Sequence, residues 1–219
     1  MLIFAISYFL VSALWLWIFA RMGGRVGTRT LLLAFGLGVI SGPVAGLISW
    51  LIETNLLTKN TAGAGHLRNF LLYFLIVGPV EEIAKFLALF LATFRAMDFR
   101  NSSDGILLAI AAALGFAGGE NVLYLLALDV ERTLPRLILG NLGHAAFSVY
   151  GGYALGVVMH ENASPSLIVA ALTLASLFHG AYNYFLTLSI AGAMVSFLLS
   201  GLLYVLMLKL IRAEKERNR

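Results

Sequence analysis

Cysteine is absent from this chain, and charged side chains are scarce. The lack of cysteine excludes disulfides, thiolate metal sites and cysteine nucleophiles. Charged residues make up 12% of the sequence, whereas soluble domains carry about a quarter. Hydrophobic residues make up 60% and the mean hydropathy is +0.91, so lipid is expected to be the main solvent. The few cations cluster between apolar runs, which indicates membrane topology and not a nucleic-acid-binding surface.

Apolar runs fill almost the whole sequence, with no soluble domain, long linker or internal repeat between them. They predict one transmembrane domain over residues 1–211 and a short basic cytoplasmic tail, 212–219. Each run approaches the roughly 20 residues that cross the hydrocarbon core as a helix. The predicted fold class is therefore an all-α polytopic membrane helical bundle with about seven transmembrane helices, at residues 2–20, 30–52, 69–94, 105–128, 135–159, 165–188 and 190–211.

The distribution of positive charge predicts how the bundle is oriented. No cation precedes the first span, whereas a signal peptide carries its positive charge in front. The positive-inside rule places the basic segments 21–29, 95–103 and 209–219 on the cytoplasmic side. The opposite segments, 53–68 and 129–134, contain Glu53, Asp129 and Glu131 among few cations. We therefore expect an N-out, C-in multi-pass protein of the cell membrane.

Several ionisable residues lie inside the apolar spans, where they are costly and usually functional. At 1.5 Å per residue, Glu81 lies about 18 Å from the outer end of its span, and Glu120, His144 and His179 lie about 12–14 Å from theirs. Groups on four helices therefore fall in one layer of the outer half of the bilayer. The set comprises Glu81, Glu82 and Lys85 in the third span, Glu120 in the fourth, His144 in the fifth and His179 in the sixth, accompanied by Asn121, Asn141, Ser148 and Asn183.

Acids and imidazoles gathered in a wet pocket are sufficient for hydrolysis. A carboxylate can act as general base on water, and an imidazole or amide can stabilise an oxyanion. Carboxylates and imidazoles are also ligands of catalytic zinc, which keeps one coordination position open. The break at Gly78-Pro79, just before Glu81, is expected to kink the third span at this site.

Two other classes of function remain open for these residues. An acid–histidine chain in a bundle can relay protons or bind cations, as in a transporter. A non-catalytic scaffold could keep the same residues for packing, since a single membrane histidine most often hydrogen-bonds another helix. Transporters often show internal repeats and a polar route to both faces. Neither feature is evident in this sequence.

The motifs resemble those of the PrsW family of intramembrane proteases. The run from Glu81 to Lys85 is similar to its EExxK motif, and the run from Phe116 to Asn121 is similar to its FxxxE motif followed by Asn. His144 with Ser148, and His179 with Asn183, look like its two histidine motifs. The resemblance covers roughly residues 69–190, with the motifs in order and each in its own apolar span.

The resemblance implies membrane-embedded proteolysis. The family is linked to cleavage of membrane-tethered anti-sigma factors on the outer side, and it is distantly related to the CAAX prenyl endopeptidases. We therefore expect an intramembrane endopeptidase that cleaves a single-pass membrane protein near the outer side of the bilayer. Its partners would be that substrate and the lipid bilayer, with no nucleic acid.

The expected roles divide the residues into catalytic, metal-binding and charge-balancing groups. Glu81 is the chosen general base, and Lys85 would hold it or balance the charge of the acids. Whether a metal is required stays open, with Zn²⁺ as the candidate. The catalytic set is Glu81, Glu82, Glu120, His144, His179 and Asn183, and the ligands of a metal would come from Glu82, Glu120, His144 and His179.

Overall fold

The fold is described by a computed structural model that covers residues 2–57, 65–94, 97–127, 133, 136 and 139–217. The described chain is helical almost throughout and contains no strand. The helices are α1 (Leu2–Ala20), α2 (Thr28–Ile52, followed by the π-helical turn Glu53–Leu57), α3 (Gly65–Leu71), a π-helical segment (Leu72–Val77), α4 (Gly78–Thr93), α5 (Ser102–Ala127), α6 (Leu139–His160), α7 (Ser166–Leu186) and α8 (Ile190–Arg217).

Six of these helices are long and apolar enough to cross a membrane: α1, α2, α5, α6, α7 and α8. The remaining predicted span, 69–94, corresponds to the uninterrupted helical stretch from α3 through α4. That stretch carries Glu81, Glu82 and Lys85, which lowers its apolar character. The all-α polytopic membrane bundle predicted from the sequence is thus confirmed. The N-out, C-in orientation stays a prediction.

A π-helical segment precedes Pro79, where a kink in the third span was expected. Residues Leu72–Val77 form this wider turn, and α4 begins at Gly78. Proline lacks an N–H donor and its ring crowds the carbonyl four residues earlier, so the regular α-helical ladder cannot run through it. A Cβ on Gly78 would lie 2.5 Å from the carbonyl oxygen of Ser176 in α7. Glycine therefore lets the start of α4 approach α7 closely, three residues before Glu81.

Helix α5 lies at the centre of the bundle, and every residue from Ser102 to Asn121 is buried. Its backbone touches α2, because a Cβ on Gly115 would come 2.0 Å from the carbonyl oxygen of Phe35. On the other side, a Cβ on Gly105 would come 2.2 Å from the carbonyl oxygen of Gly152 in α6. Small residues thus permit the close helix contacts that replace hydrophobic driving force in lipid.

The described part of the basic tail continues α8 as far as Arg217. Arg217 donates to Glu161 at 2.6 Å, in the connection between α6 and α7. This hydrogen bond lowers the pKa of the exposed Glu161 carboxyl. The buried Glu214 accepts a hydrogen bond from Ser102 at the start of α5. The end of α8 is therefore anchored to two neighbouring elements, while a domain boundary at residue 211 stays a prediction.

Candidate active site

Four helices bring their ionisable side chains into one buried cluster. Helix α4 supplies two adjacent glutamates and a lysine, α5 supplies Glu120, and α6 and α7 supply one histidine each. The least buried member, Glu120, is 9% exposed. The structure thus brings together six of the residues that the sequence singled out: Glu81, Glu82, Lys85, Glu120, His144 and His179.

At the centre of the cluster, Glu81, His144 and His179 could hold a metal ion. One carboxylate oxygen and one nitrogen from each ring lie within 4.8 Å of one another. Glu81 Oε2 lies 3.6 Å from Nε2 of His179, and it is buried without a hydrogen-bond partner. Nδ1 of His144 is also buried and unpartnered. Buried polar groups usually have partners, so these orphaned atoms point to a ligand.

Glu82 is held more closely than the adjacent Glu81, although both lie near Lys85 and His179. Its Oε1 accepts from Lys85 Nζ at 2.6 Å and lies 2.8 Å from Nδ1 of His179, and its Oε2 accepts from Ser148 at 2.9 Å. Lys85 lies farther from Glu81, at 3.9 Å. The expectation that Lys85 holds Glu81 is therefore met only by a long ion pair. Its main partner is Glu82.

Glu120 contacts His144 in the same way that Glu82 contacts His179. Its Oε2 lies 3.0 Å from Nε2 of His144 and accepts from Arg136 at 2.8 Å. The Arg136 guanidinium also donates to Asn121 at 3.1 Å and packs over the Tyr124 ring at 3.8 Å. Each imidazole thus contacts a carboxylate through one nitrogen, an arrangement that fixes the orientation of metal-binding histidines.

Sequence reasoning missed Arg136. This residue falls at the start of the predicted span 135–159, where the surrounding residues form a mostly apolar run. A lone arginine in such a run was the available signal, because arginine inside a span is costly unless it is paired. In the structure it precedes α6 and neutralises Glu120.

Two asparagines that the sequence singled out, Asn183 and Asn141, lie in different parts of the fold. Asn183 is partly buried, lies one turn after His179 on α7, and lines a cleft together with Glu120, His144 and His179. Asn141 is fully buried and accepts from Ser12 at 2.9 Å, which links α6 to α1. Asn183 therefore borders the cluster, whereas Asn141 connects helices.

The residues present fit a zinc ion. Two imidazoles and one carboxylate are a set that catalytic zinc accepts, with a fourth position left for water or substrate. The set predicted from the sequence shares His144 and His179 with the central group. It differs in the carboxylate, since Glu82 and Glu120 contact the histidines while Glu81 belongs to the group. The roles of Glu82 and Glu120 as ligands stay predictions.

The fold and the cluster together define a multi-pass membrane protein with a buried glutamate–histidine centre suited to a metal. Comparison with family models places this chain more narrowly, because residues 27–211 match the PrsW family of intramembrane metalloproteases. The chain belongs to this family, as the motifs of the sequence indicated.

Individual relatives agree with this placement. The chain is similar to Protease PrsW of Shouchella clausii, 33% identical over 115 residues, which are 52% of this chain and 54% of that protein. It is similar to Protease PrsW of Halalkalibacterium halodurans, 36% identical over 116 residues, or 52% and 54% of the two chains. It is also similar to Protease PrsW of Bacillus subtilis, 31% identical over 156 residues, which are 70% of this chain and 68% of that protein. The matched region spans about half the length of the first two relatives. No solved structure matches the chain.

Proposed function

We propose that this protein is an intramembrane endopeptidase that hydrolyses a peptide bond with the help of a bound metal. The observation that carries the proposal is the buried group of Glu81, His144 and His179, with its unpartnered carboxylate oxygen and imidazole nitrogen. In a purely structural network these atoms would be hydrogen-bonded internally, as those of Glu82 and Lys85 are. Glu81 Oε2 instead has only longer ion contacts with Lys85 and His179. Membership of a metalloprotease family supports the same reading.

In this proposal one group of side chains binds the metal and a second group orients the metal-binding histidines. Zn²⁺ held by Glu81, His144 and His179 would supply a Lewis acid that polarises the peptide carbonyl. Glu82 and Glu120 hold the two imidazoles in place through hydrogen bonds.

Two residues that border the cleft are proposed to accept the proton of the attacking water and to stabilise the oxyanion that forms on the peptide carbonyl. Glu120 accepts the proton of the attacking water, because it borders the cleft and its carboxylate is not enclosed by three partners as that of Glu82 is. Asn183 stabilises the oxyanion from the cleft wall. In a route without metal, Glu81 Oε2 would itself be the base.

Metal removal separates these two routes. We expect a strong chelator to abolish cleavage of a single-pass membrane substrate by the purified full chain, and stoichiometric Zn²⁺ to restore it. The measurements are product formation on gels and metal content by mass spectrometry. Cleavage that persists in a protein shown to be metal-free would contradict the metal-assisted route and favour Glu81 as base.

The substrate is proposed to be membrane-tethered, of the anti-sigma-factor type, and cleaved near the outer side. An apolar groove of about 360 Å³ between α6, α7 and α8 supports an approach from the lipid. It shares Leu139, Gly143 and Tyr182 with the cleft at the histidines. We propose that the apolar membrane segment of the substrate occupies this groove, because the groove leads directly to the cluster and small residues in it allow close backbone approach.

Filling the groove tests this route. We expect Gly201→Leu to lower cleavage at least about tenfold, because the added side chain occupies space that the substrate segment needs. The loss of one well-packed contact at the centre of an interface costs about this much affinity. No atom lies within 4 Å of a Cβ at Gly201, so the fold tolerates the change. Gly36→Leu is a matched control on α2, where a Cβ also meets no atom within 4 Å and the residue does not line this groove. Equal activity of the two variants in a reconstituted cleavage assay would exclude the groove as the route.

A further inference from the structure

A second cavity lies at the opposite end of the bundle from the glutamate–histidine cluster. It has a volume of about 280 Å³ and is bordered by the α1–α2 connection, the start of α5 and the end of α8. Asp104 in its wall precedes Glu120 by 16 residues of α5, or about 24 Å along the helix. The cavity is therefore separate from the proposed active site.

The cavity is strongly basic. Four of its lining residues are cations: Arg21, Arg25, Arg100 and Lys215. They come from three separate elements, so the fold and not a local run of basic sequence gathers them. Among the described residues that line the cavity, the single acid is Asp104.

Asp104 forms no ion pair with these cations, because its carboxylate accepts from backbone amides, and its single negative charge leaves the lining with a net positive charge. Its Oδ1 accepts from the Arg25 amide at 2.7 Å, and its Oδ2 accepts from the Arg100 amide at 3.0 Å. Asp104 is 1% exposed. One buried carboxylate thus ties both loops to α5 and fixes the backbone from which the two arginines project.

A glycine completes the fit of the first loop against α5. Gly24 has a φ of +75°, and a Cβ there would come within 3.1 Å of the Ser103 carbonyl oxygen. The left-handed conformation favours glycine. The loop is therefore shaped to lie flat on the start of α5, beside the cavity.

The cationic groups themselves stay available. Within the part of the chain that the structure describes, Arg25, Arg100 and Lys215 form no ion pair. Arg21 packs over the half-exposed ring of Trp17 at 3.6 Å. By contrast, the nearby Arg217 pairs with Glu161 and Glu214. The acids Glu161 and Glu214 are therefore paired with Arg217 and not with the cations that line the cavity.

We infer that this cavity binds a phosphate group, carried by the headgroup of an anionic phospholipid or by a soluble phosphate. Guanidinium groups converge on phosphate oxygens through paired N–H donors. The cavity lies where α1 ends and α2 begins, at the boundary between apolar spans and loops. Basic pockets between transmembrane helices are suited to acidic headgroups. This role is independent of the proteolytic function.

The test uses the purified full chain in a neutral detergent. Binding of phosphatidylglycerol, phosphatidylcholine and inorganic phosphate is measured by native mass spectrometry and by the shift in unfolding temperature. We expect Arg25→Gln with Arg100→Gln to weaken binding about thirtyfold, because each cation near a membrane surface contributes about fivefold. Arg29→Gln with Arg212→Gln is the matched control, since both arginines are exposed and neither lines the cavity.

The outcomes distinguish the sources of the phosphate. Preference for phosphatidylglycerol that only the cavity variant loses supports a lipid headgroup, and a shift with inorganic phosphate that lipid does not increase supports a soluble one. Absence of binding, or equal loss in both double variants, would overturn the inference in favour of diffuse surface attraction. Should the double variant fold poorly, Lys215→Gln, at an exposed position, provides the same comparison with an expected fivefold loss.

Discussion

Replacing Glu81 by glutamine is expected to abolish cleavage while leaving the fold intact. Glu81 Oε2 is buried, has no hydrogen-bond partner and lies beside both histidines. Glutamine has nearly the same shape but cannot act as a base and is a poor ligand for zinc. We expect a loss of at least about 100-fold: in the route without metal the general base is removed, which costs about 100- to 10,000-fold, and in the metal-assisted route a ligand of the Lewis acid is removed. The measurement is cleavage of a single-pass substrate by the purified variant.

A folding control decides what such a loss means. The Glu81→Gln protein should unfold at nearly the wild-type temperature, because Lys85 keeps its closer partner Glu82. Glu161→Gln offers the same chemical change in the α6–α7 connection and should cleave normally. Wild-type activity in Glu81→Gln would remove this residue from the mechanism. A transporter or a scaffold would show no cleavage to lose in either protein.

Helix positions could be predicted closely because every span needs about 20 apolar residues to cross the hydrocarbon core. The sixth predicted span, 165–188, and α7 at Ser166–Leu186 differ by one or two residues at each end. The prediction ended the last span at 211, whereas α8 continues to Arg217. The continuation is polar and gives no hydropathy signal. It is stabilised by Ser102 and Glu161, partners distant in sequence that periodicity cannot identify.

The members of the site were predictable, but their pairing was not. Charge inside an apolar span identifies a residue as unusual, whichever neighbour it has. The i, i+4 rule suggested that Lys85 pairs with Glu81. In the structure, Lys85 prefers Glu82, which is also held by Ser148 and His179 from two other helices. Helical spacing predicts which residues share one face of a helix. It does not predict their partners on other helices, because these depend on how several helices pack.

That arrangement of partners predicts that a change at the adjacent glutamate, unlike one at Glu81, lowers the stability of the protein. Glu82→Gln is expected to destabilise the protein by about 3–5 kcal/mol, because it leaves the charge of a buried lysine without its partner. Lys85 is 1% exposed and lies 2.6 Å from Glu82. Thermal unfolding in detergent would show a clear loss of stability that Glu81→Gln does not show.

A second substitution separates loss of charge balance from loss of catalysis. In the variant Glu82→Gln with Lys85→Met, the uncompensated charge is gone, so most of the stability should return. Activity should remain low even so, because glutamine no longer provides the charged acceptor beside Nδ1 of His179 and such partners change metal affinity or activity about 10- to 100-fold. Recovered activity in the double variant would mean that Glu82 serves only to balance Lys85. Unchanged stability in the single variant would mean that the buried pair does not determine how α4 is held in the bundle.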